Sequence, residues 1–396
     1  MPTKSTAMNI IFFDDANRDH LLPLTFTRPS AKLRCGILSL EEKWLKRMEA
    51  QDHSYLTQDY LQLKFPLRES KDVVFINPCV CPSSELVELV KDLAEHQSLM
   101  QGEVLIATRD SRHFEEDAEM DTEVLEYEGD FNYVSRPYDL FKLNGAELEA
   151  DFELLTAGRD SAPISNSNTL IGDRVFLEEG AKVEAAILNS TSGPIYIGKD
   201  SEVMEASVIR GPFALCDHST VKLAAKIYGP TTVGPHSKVG GEINNSVIIG
   251  YSNKGHDGFL GNSVLGEWCN IGADSNNSNL KNNYEEVKLW DYPRGGFART
   301  GLQFCGLVMG DHSKCGINTM FNTGTVVGVS ANIFGAGFPR NFIPSFSWGG
   351  ASGLTEYKID KALKTADLVM SRRAIELDQV ERDILQVVFD KTAQYR

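Results

Sequence analysis

Long hydrophobic runs are missing from the 396-residue chain. No apolar stretch approaches the roughly 18 residues of a membrane span, so no membrane segment is expected. The run Ile10 to Phe13 is too short for a secretory signal, and the polar stretch Met1 to Met8 before it carries one lysine. Positive charge is also short. There are 39 Lys and Arg against 55 Asp and Glu, so 39 − 55 = −16. A net anion argues against a nucleic-acid or anionic-membrane partner, which needs clustered cations. Cysteine is sparse, odd in number and scattered, with 7 residues at 35, 79, 81, 216, 269, 305 and 315. That fits reduced thiols in the cytoplasm rather than a disulfide framework. Cys79 and Cys81 form a CxC with no second pair at zinc spacing. The apolar share of 42 % is that of a globular protein able to bury a core, and the length allows two or three domains.

A repeat is present. Stepping by six from Ile197 meets Val203, Ile209, Leu215, Val221, Ile227, Val233 and Val239, all aliphatic and in unbroken phase. A shorter run precedes it (Ile171, Leu177, Val183). Two follow, first Phe259, Leu265, Ile271 and then Met309, Cys315, Phe321, Val327, Ile333. Neither a helical nor a two-residue period keeps such a register. The pattern predicts a solenoid that places one inner aliphatic per hexad, with Gly or Asn at turns needing positive φ. These hexads resemble the bacterial hexapeptide-repeat acyltransferases. The resemblance covers about residues 164–340 and implies a left-handed parallel β-helix of three hexads per coil. It further implies a homotrimer with active sites between subunits.

Two breaks interrupt the repeat. Residues 251–258 lack the inner aliphatic, and residues 276–301 are an Asn- and Gly-rich insertion. Long loops on a regular scaffold commonly carry binding. Past Pro339 the repeat stops in a Gly/Ser/Trp segment. From Thr355 the spacing of Ile359, Leu363, Ala366, Met370, Leu377, Val380, Ile384 and Val387 is helical, as one long helix or two short ones.

The first 155 residues differ in kind. Asn9 to Phe13, Val73 to Ile76 and Val104 to Ala107 predict buried strands. Ser84 to His96 predicts a helix capped by Ser83 or Ser84, with Leu86, Val87, Leu89, Val90 and Leu93 on its apolar face. Strand–helix–strand order implies an α/β sheet with a ligand crevice at its carboxyl edge. The segment Arg18-Asp19-His20-Leu21-Leu22-Pro23-Leu24-Thr25 through Arg28-Pro29-Ser30-Ala31-Lys32 resembles the opening of sugar-1-phosphate nucleotidyltransferases. That resemblance implies Arg18 on the nucleotide phosphates and Arg28 or Lys32 on the sugar phosphate, with Mg²⁺ assisting. The cations suit a transition state that spreads negative charge over phosphoryl oxygens. Two departures stand out. Asp14-Asp15-Ala16-Asn17 replaces the family's Gly-rich loop, and Asn77-Pro78-Cys79 stands where a metal-binding Asp is usual. Asp14 and Asp15 are therefore the candidate metal ligands.

Taken together, the halves resemble the bifunctional N-acetylglucosamine-1-phosphate uridylyltransferase/glucosamine-1-phosphate acetyltransferase class, in a shortened, divergent bacterial version. The resemblance spans about residues 9–340. It divides the chain into a nucleotidyltransferase-like domain (1–155), a β-helix acyltransferase-like domain (156–345) and a helical extension (346–396). Lys254-Gly255-His256 resembles the acetyltransferase loop whose His is the base, and Asn270-Ile271-Gly272-Ala273 resembles the turn that follows it. The resemblance implies His256 as catalytic base and Lys254, Phe259, Asn279 and Lys288 as substrate-binding. It places Gly272, Ala273, Gly316 and Ile317 beside acetyl-CoA. Phe259 and Ile317 replace a family Tyr and Ser, which bears on the substrate more than on the reaction. An imidazole titrating near neutrality suits the removal of a proton from an attacking amine.

Other readings stay open at this point. The chain could be a nucleotidyltransferase only, thymidylyl or uridylyl, acting on a hexose phosphate, or a non-catalytic sugar-nucleotide-binding scaffold. His218 and His236, 18 residues apart, are expected to stack on adjacent coils, and with His312 they offer a zinc alternative.

Overall fold

The computed structural model describes residues 9–70, 72–111 and 122–396, so the reading of Met1 to Met8 lies outside the described residues. The chain forms two compact units. The first holds the residues up to Arg18, then Arg28–Leu33 and Leu38–Ser135. The second holds Asp19–Thr27, Arg34–Ile37 and Arg136–Arg396.

The first unit is built on one six-stranded sheet. Its strands are β1 (Asn9–Phe13), β2 (His53–Leu56), β3 (Val73–Ile76), β4 (Gln97–Gln101), β5 (Val104–Arg109) and β6 (Glu123–Glu126). The order is β2-β1-β3-β5-β4-β6. The apolar β1 lies between β2 and β3, both parallel to it, so its carboxyl end, followed at once by Asp14 and Asp15, opens where the strand order reverses. Helix α1 (Leu40–Met48) starts with a capping box between Ser39 and Glu42. Helix α2 (Ser84–Asp92) is capped by the Ser83 side chain on the Leu86 N–H. It is shorter than the expected Ser84–His96, because the backbone turns extended at Leu93 and His96 takes a positive φ. Leu86, Val87 and Val90 are buried as expected, whereas Leu89 is exposed.

Helices α3 (Asp139–Lys142) and α4 (Asn144–Thr156) belong to the second unit. Phe152 of α4 shares a cluster with Phe176, Tyr196 and Ala214 of the repeat. The repeat is a parallel β-helix of three sheets with six, nine and ten strands. Successive coils pair 18 residues apart at first (Ile195 with Phe213, Phe213 with Thr231). The next steps are 15 (Thr232 with Val247) and 17 (Val247 with Val264). The insertion then stretches one step to 44 (Val264 with Val308). The eight aliphatics from Ile197 to Val239 all lie in one buried core column, with Leu265, Ile271, Met309, Cys315, Phe321, Val327 and Ile333.

Two expected core residues fall elsewhere. Ile171 is exposed at the open end of the first coil, and Leu260 replaces Phe259 inside because the shorter coils shift the phase by one. The expected break at residues 251–258 still makes a coil. Asn253–Lys254 is a strand, and Lys254 takes the inner position in register with Val239. The insertion carries an antiparallel hairpin, Lys288–Asp291 with Gly296–Arg299. Ladder pairing runs on to Ser347–Gly350, past residue 345, and the antiparallel strand Gly353–Glu356 ends it. Two helices follow, α5 (Ile359–Ser371) and α6 (Gln379–Lys391), so Thr355 lies in the closing strand. No helix among the described residues is long and apolar enough to cross a membrane.

Turn chemistry departs from the Gly/Asn expectation. Positive-φ corners are filled by Ala206, His218, Ala224, His236, Tyr251, Trp268 and His312, among others. Stacked neighbours on the coils above and below offset the cost of about 1 kcal/mol that a left-handed conformation carries for a side-chain-bearing residue.

Candidate functional site

In the first unit, the residues after β1 form a closed polar network. The Asp14 carboxylate accepts from Arg18 Nε (3.1 Å), from the Ser30 N–H (2.8 Å) and Oγ (2.6 Å), and from Thr57 Oγ1 (2.5 Å). Asp15 accepts from the Asn17 N–H (2.8 Å), Asn77 Nδ2 (3.0 Å) and Tyr133 Oη (2.5 Å). Burial and the Asp15 carboxylate push the Tyr133 phenol well above its usual range, so it stays a donor. Every carboxylate oxygen of the pair already accepts from the protein itself. The two residues therefore do not fit as an Mg²⁺ pair, which needs free carboxylate oxygens. Arg18 is buried on Asp14 and also donates to Tyr60 Oη (3.2 Å). Lys32 pairs with Glu41 (2.5 Å), and Arg28 is buried. The motif that includes these cations is divided, since Asp19–Thr27 packs in the second unit. There Thr27 Oγ1 donates to Asp311 (2.6 Å) and His20 Nδ1 lies 2.6 Å from Asp291.

In the second unit, a cavity of about 620 Å³ gathers His256, Gly272, Ala273 and Ile317, four of the sequence-derived positions. His256 is exposed on the loop after Lys254, and Ile317 is 70 % exposed. A Cβ at Gly272 would collide with the Gly316 backbone, so this pair of glycines lets two coils approach closely. The Gly272 N–H donates to Cys315 O (3.1 Å) in the ladder, so it is spent as an oxyanion donor.

Lys254 is 1 % exposed, and its ammonium donates inward to the carbonyls of His256 and Asp257, the latter at 3.2 Å. It thus holds the loop from beneath rather than facing a ligand. Burial lowers its pKa to about 8. Phe259 and Asn279 meet over Gly261 in another sheet of the repeat, where Asn279 Nδ2 donates to Asn262 Oδ1 (2.8 Å). Lys288 is exposed on the hairpin. None of these three lines the cavity among the described residues.

A ring ladder climbs one corner of the coils. His218 stacks on His236 (4.9 Å between centroids), His236 on Tyr251 (4.7 Å), Tyr251 on Trp268 (4.5 Å) and Trp268 on His312 (6.3 Å). The expected His218–His236 stack is formed, but two aromatic rings separate His312 from it, so the three histidines make no zinc triad within the chain. Among the described residues the metal-type cluster is Glu95, His96 and Asp110. The sequence reading missed Tyr251 and Trp268, whose spacing from His236 follows the shortened coils, and it missed the return of α5 to the cavity through Val369.

The family description "Sugar nucleotidyl transferase" matches residues 10–160. A bifunctional sugar-1-phosphate nucleotidylyltransferase/acetyltransferase of Sulfurisphaera tokodaii is 27 % identical over 213 residues, 53 % of this chain and 46 % of the relative. The bifunctional protein GlmU of Methanococcus vannielii is 30 % identical over 212 residues, 54 % of this chain and 44 % of the relative. The chain thus spans less than half the length of these curated relatives. A UDP-N-acetylglucosamine acyltransferase from Campylobacter jejuni superposes at a TM-score of 0.30 with 16 % identity, over 59 % of this chain and 85 % of the other. Residues 10–160 therefore match the sugar nucleotidyl transferase family, and just over half of the chain is similar to bifunctional sugar-1-phosphate nucleotidylyltransferase/acetyltransferases.

Proposed function

We propose that the chain is a transferase of nucleotide-sugar biosynthesis whose β-helix moves an acetyl group from acetyl-CoA to an amino-sugar 1-phosphate. The observation that carries this reading is the single cavity shared by His256 and the Gly272–Ala273 turn. The sugar amine attacks the thioester carbonyl, and the His256 imidazole takes the proton that the nitrogen loses as the N–C bond forms. The C–S bond then breaks, and the imidazolium returns the proton to the departing thiolate. Lys254 is the positioning residue, fixing the carbonyls of His256 and Asp257.

Sugar-1-phosphate nucleotidyl transfer in the first unit is the second half of the proposal, supported by the match over residues 10–160. Arg18, Arg28 and Lys32 would bind phosphate there, Arg18 and Lys32 after exchanging Asp14 and Glu41 for it. No step is routed through a metal on Asp14 and Asp15. A cytoplasmic homotrimer completes the reading, supported by seven free buried thiols and by the exposed apolar residues Ile171, Ile187 and Val208 on the repeat. Light scattering tests the assembly.

Wild-type protein given acetyl-CoA and glucosamine 1-phosphate is expected to release free thiol, and His256→Ala to lower that rate about 10²-fold or more with the fold unchanged. No thiol release with any amino-sugar phosphate would end the acetyl-transfer reading. Pyrophosphate release from UTP or dTTP plus a sugar 1-phosphate tests the first unit, with Arg18→Ala as control.

A further inference from the structure

The charge around the His256 cavity runs against the rest of the molecule. Acids outnumber cations 55 to 39 along the chain, yet no Asp or Glu among the described residues lines this cavity. Four cations do: Lys222 and Lys238 from successive coils, and Arg372 and Arg373 from the end of α5. Elsewhere on the coils and the helical extension some cations are paired, as in Lys226 with Glu242 (3.2 Å) and Arg382 with Asp367 (3.5 Å). None of the four cavity cations pairs with a carboxylate among the described residues. Unpaired like charges around one concavity repel each other, and a multiply charged anion removes that cost while gaining charge-assisted hydrogen bonds. Arginine's planar fork suits phosphate in particular.

We infer that Arg372 and Arg373 close the His256 cavity as a phosphate clamp, together with Lys222 and Lys238, and that the end of α5 is thereby part of the binding site. The ligand class is a phosphate ester. The inference takes its two candidate sources, CoA and the sugar 1-phosphate, from the acetyl-transfer reading.

Calorimetric titration with CoA and separately with glucosamine 1-phosphate separates these sources. The Arg372→Gln/Arg373→Gln protein is expected to bind one of them about tenfold more weakly than wild type, the loss shrinking at high salt. The ligand whose affinity falls is the one the clamp holds. Lys222→Gln/Lys238→Gln on the coils is expected to weaken the same ligand, which guards against a local effect on α5. Affinities for both ligands unchanged within twofold, or no binding of either by wild type, would overturn the clamp. Clamp-dependent binding without thiol release would instead sink the acetyl-transfer reading and leave the clamp standing.

Discussion

Lys254 sits where the repeat calls for an aliphatic side chain, its stem in register with Val239 and its ammonium spent on two loop carbonyls. Burial lowers its pKa from 10.5 to about 8. Between those values the folded chain binds fewer protons at this site than the unfolded one, so its contribution to stability rises with pH across the window. Lys254→Met removes the rise. The melting temperature of wild type minus that of the variant is therefore expected to increase from pH 8 to pH 10.5 in thermal scans, and a flat difference would show an ammonium in contact with water. The variant is also expected to transfer acetyl about tenfold more slowly, because the His256 loop loses its anchor. Asp14 makes the opposite case, a carboxylate wholly occupied by the fold. Asp14→Ala is expected to cost about 3 kcal/mol in urea unfolding, since the buried Arg18 loses a carboxylate, and two hydroxyls and an amide lose their acceptor.

Each coil is held by the next, through the aliphatic column and through a buried serine ladder. The Ser219 N–H donates to Ser201 Oγ (3.2 Å), Ser237 to Ser219 (3.1 Å) and Ser252 to Ser237 (3.2 Å). Equal chemistry at unequal depth then has unequal effects. Ile209→Ala, inside the column, is expected to cost about 2–5 kcal/mol, whereas Ile171→Ala at the open end should stay near 0.5 kcal/mol. Gly234→Ala is expected to cost about 2 kcal/mol or more, because a Cβ there collides with the Ile248 and Ile249 carbonyls of the next coil. Denaturant midpoints of the three variants check the ranking. The hexads made the column legible because the six-residue rule acts locally on every coil. Coils of 15 and 17 residues hid Leu260 and the upper ring ladder, since one dropped residue moves every later position off phase.

Over the whole molecule, all seven cysteines are buried free thiols. Ellman's reagent is expected to react slowly with native protein and to find seven thiols once guanidinium is added, while prompt reaction of several thiols would contradict the packing. The sequence by itself determined the two architectures, the parallel β-helix and the α/β sheet, because a six-residue aliphatic period and short apolar strands state their packing over a few neighbouring residues. It also singled out His256 and the Gly272–Ala273 turn, which the structure brings into one cavity. Only the tertiary structure decided which charges are free. Asp14 and Asp15 look like ligands in the sequence, but they are filled by donors as distant as Thr57 and Tyr133. Arg372 and Arg373 carry no signal in the sequence, yet they reach the cavity of His256 from more than a hundred residues away. Hydrogen-bond partners and cavity walls are set by long-range packing, which no local pattern encodes.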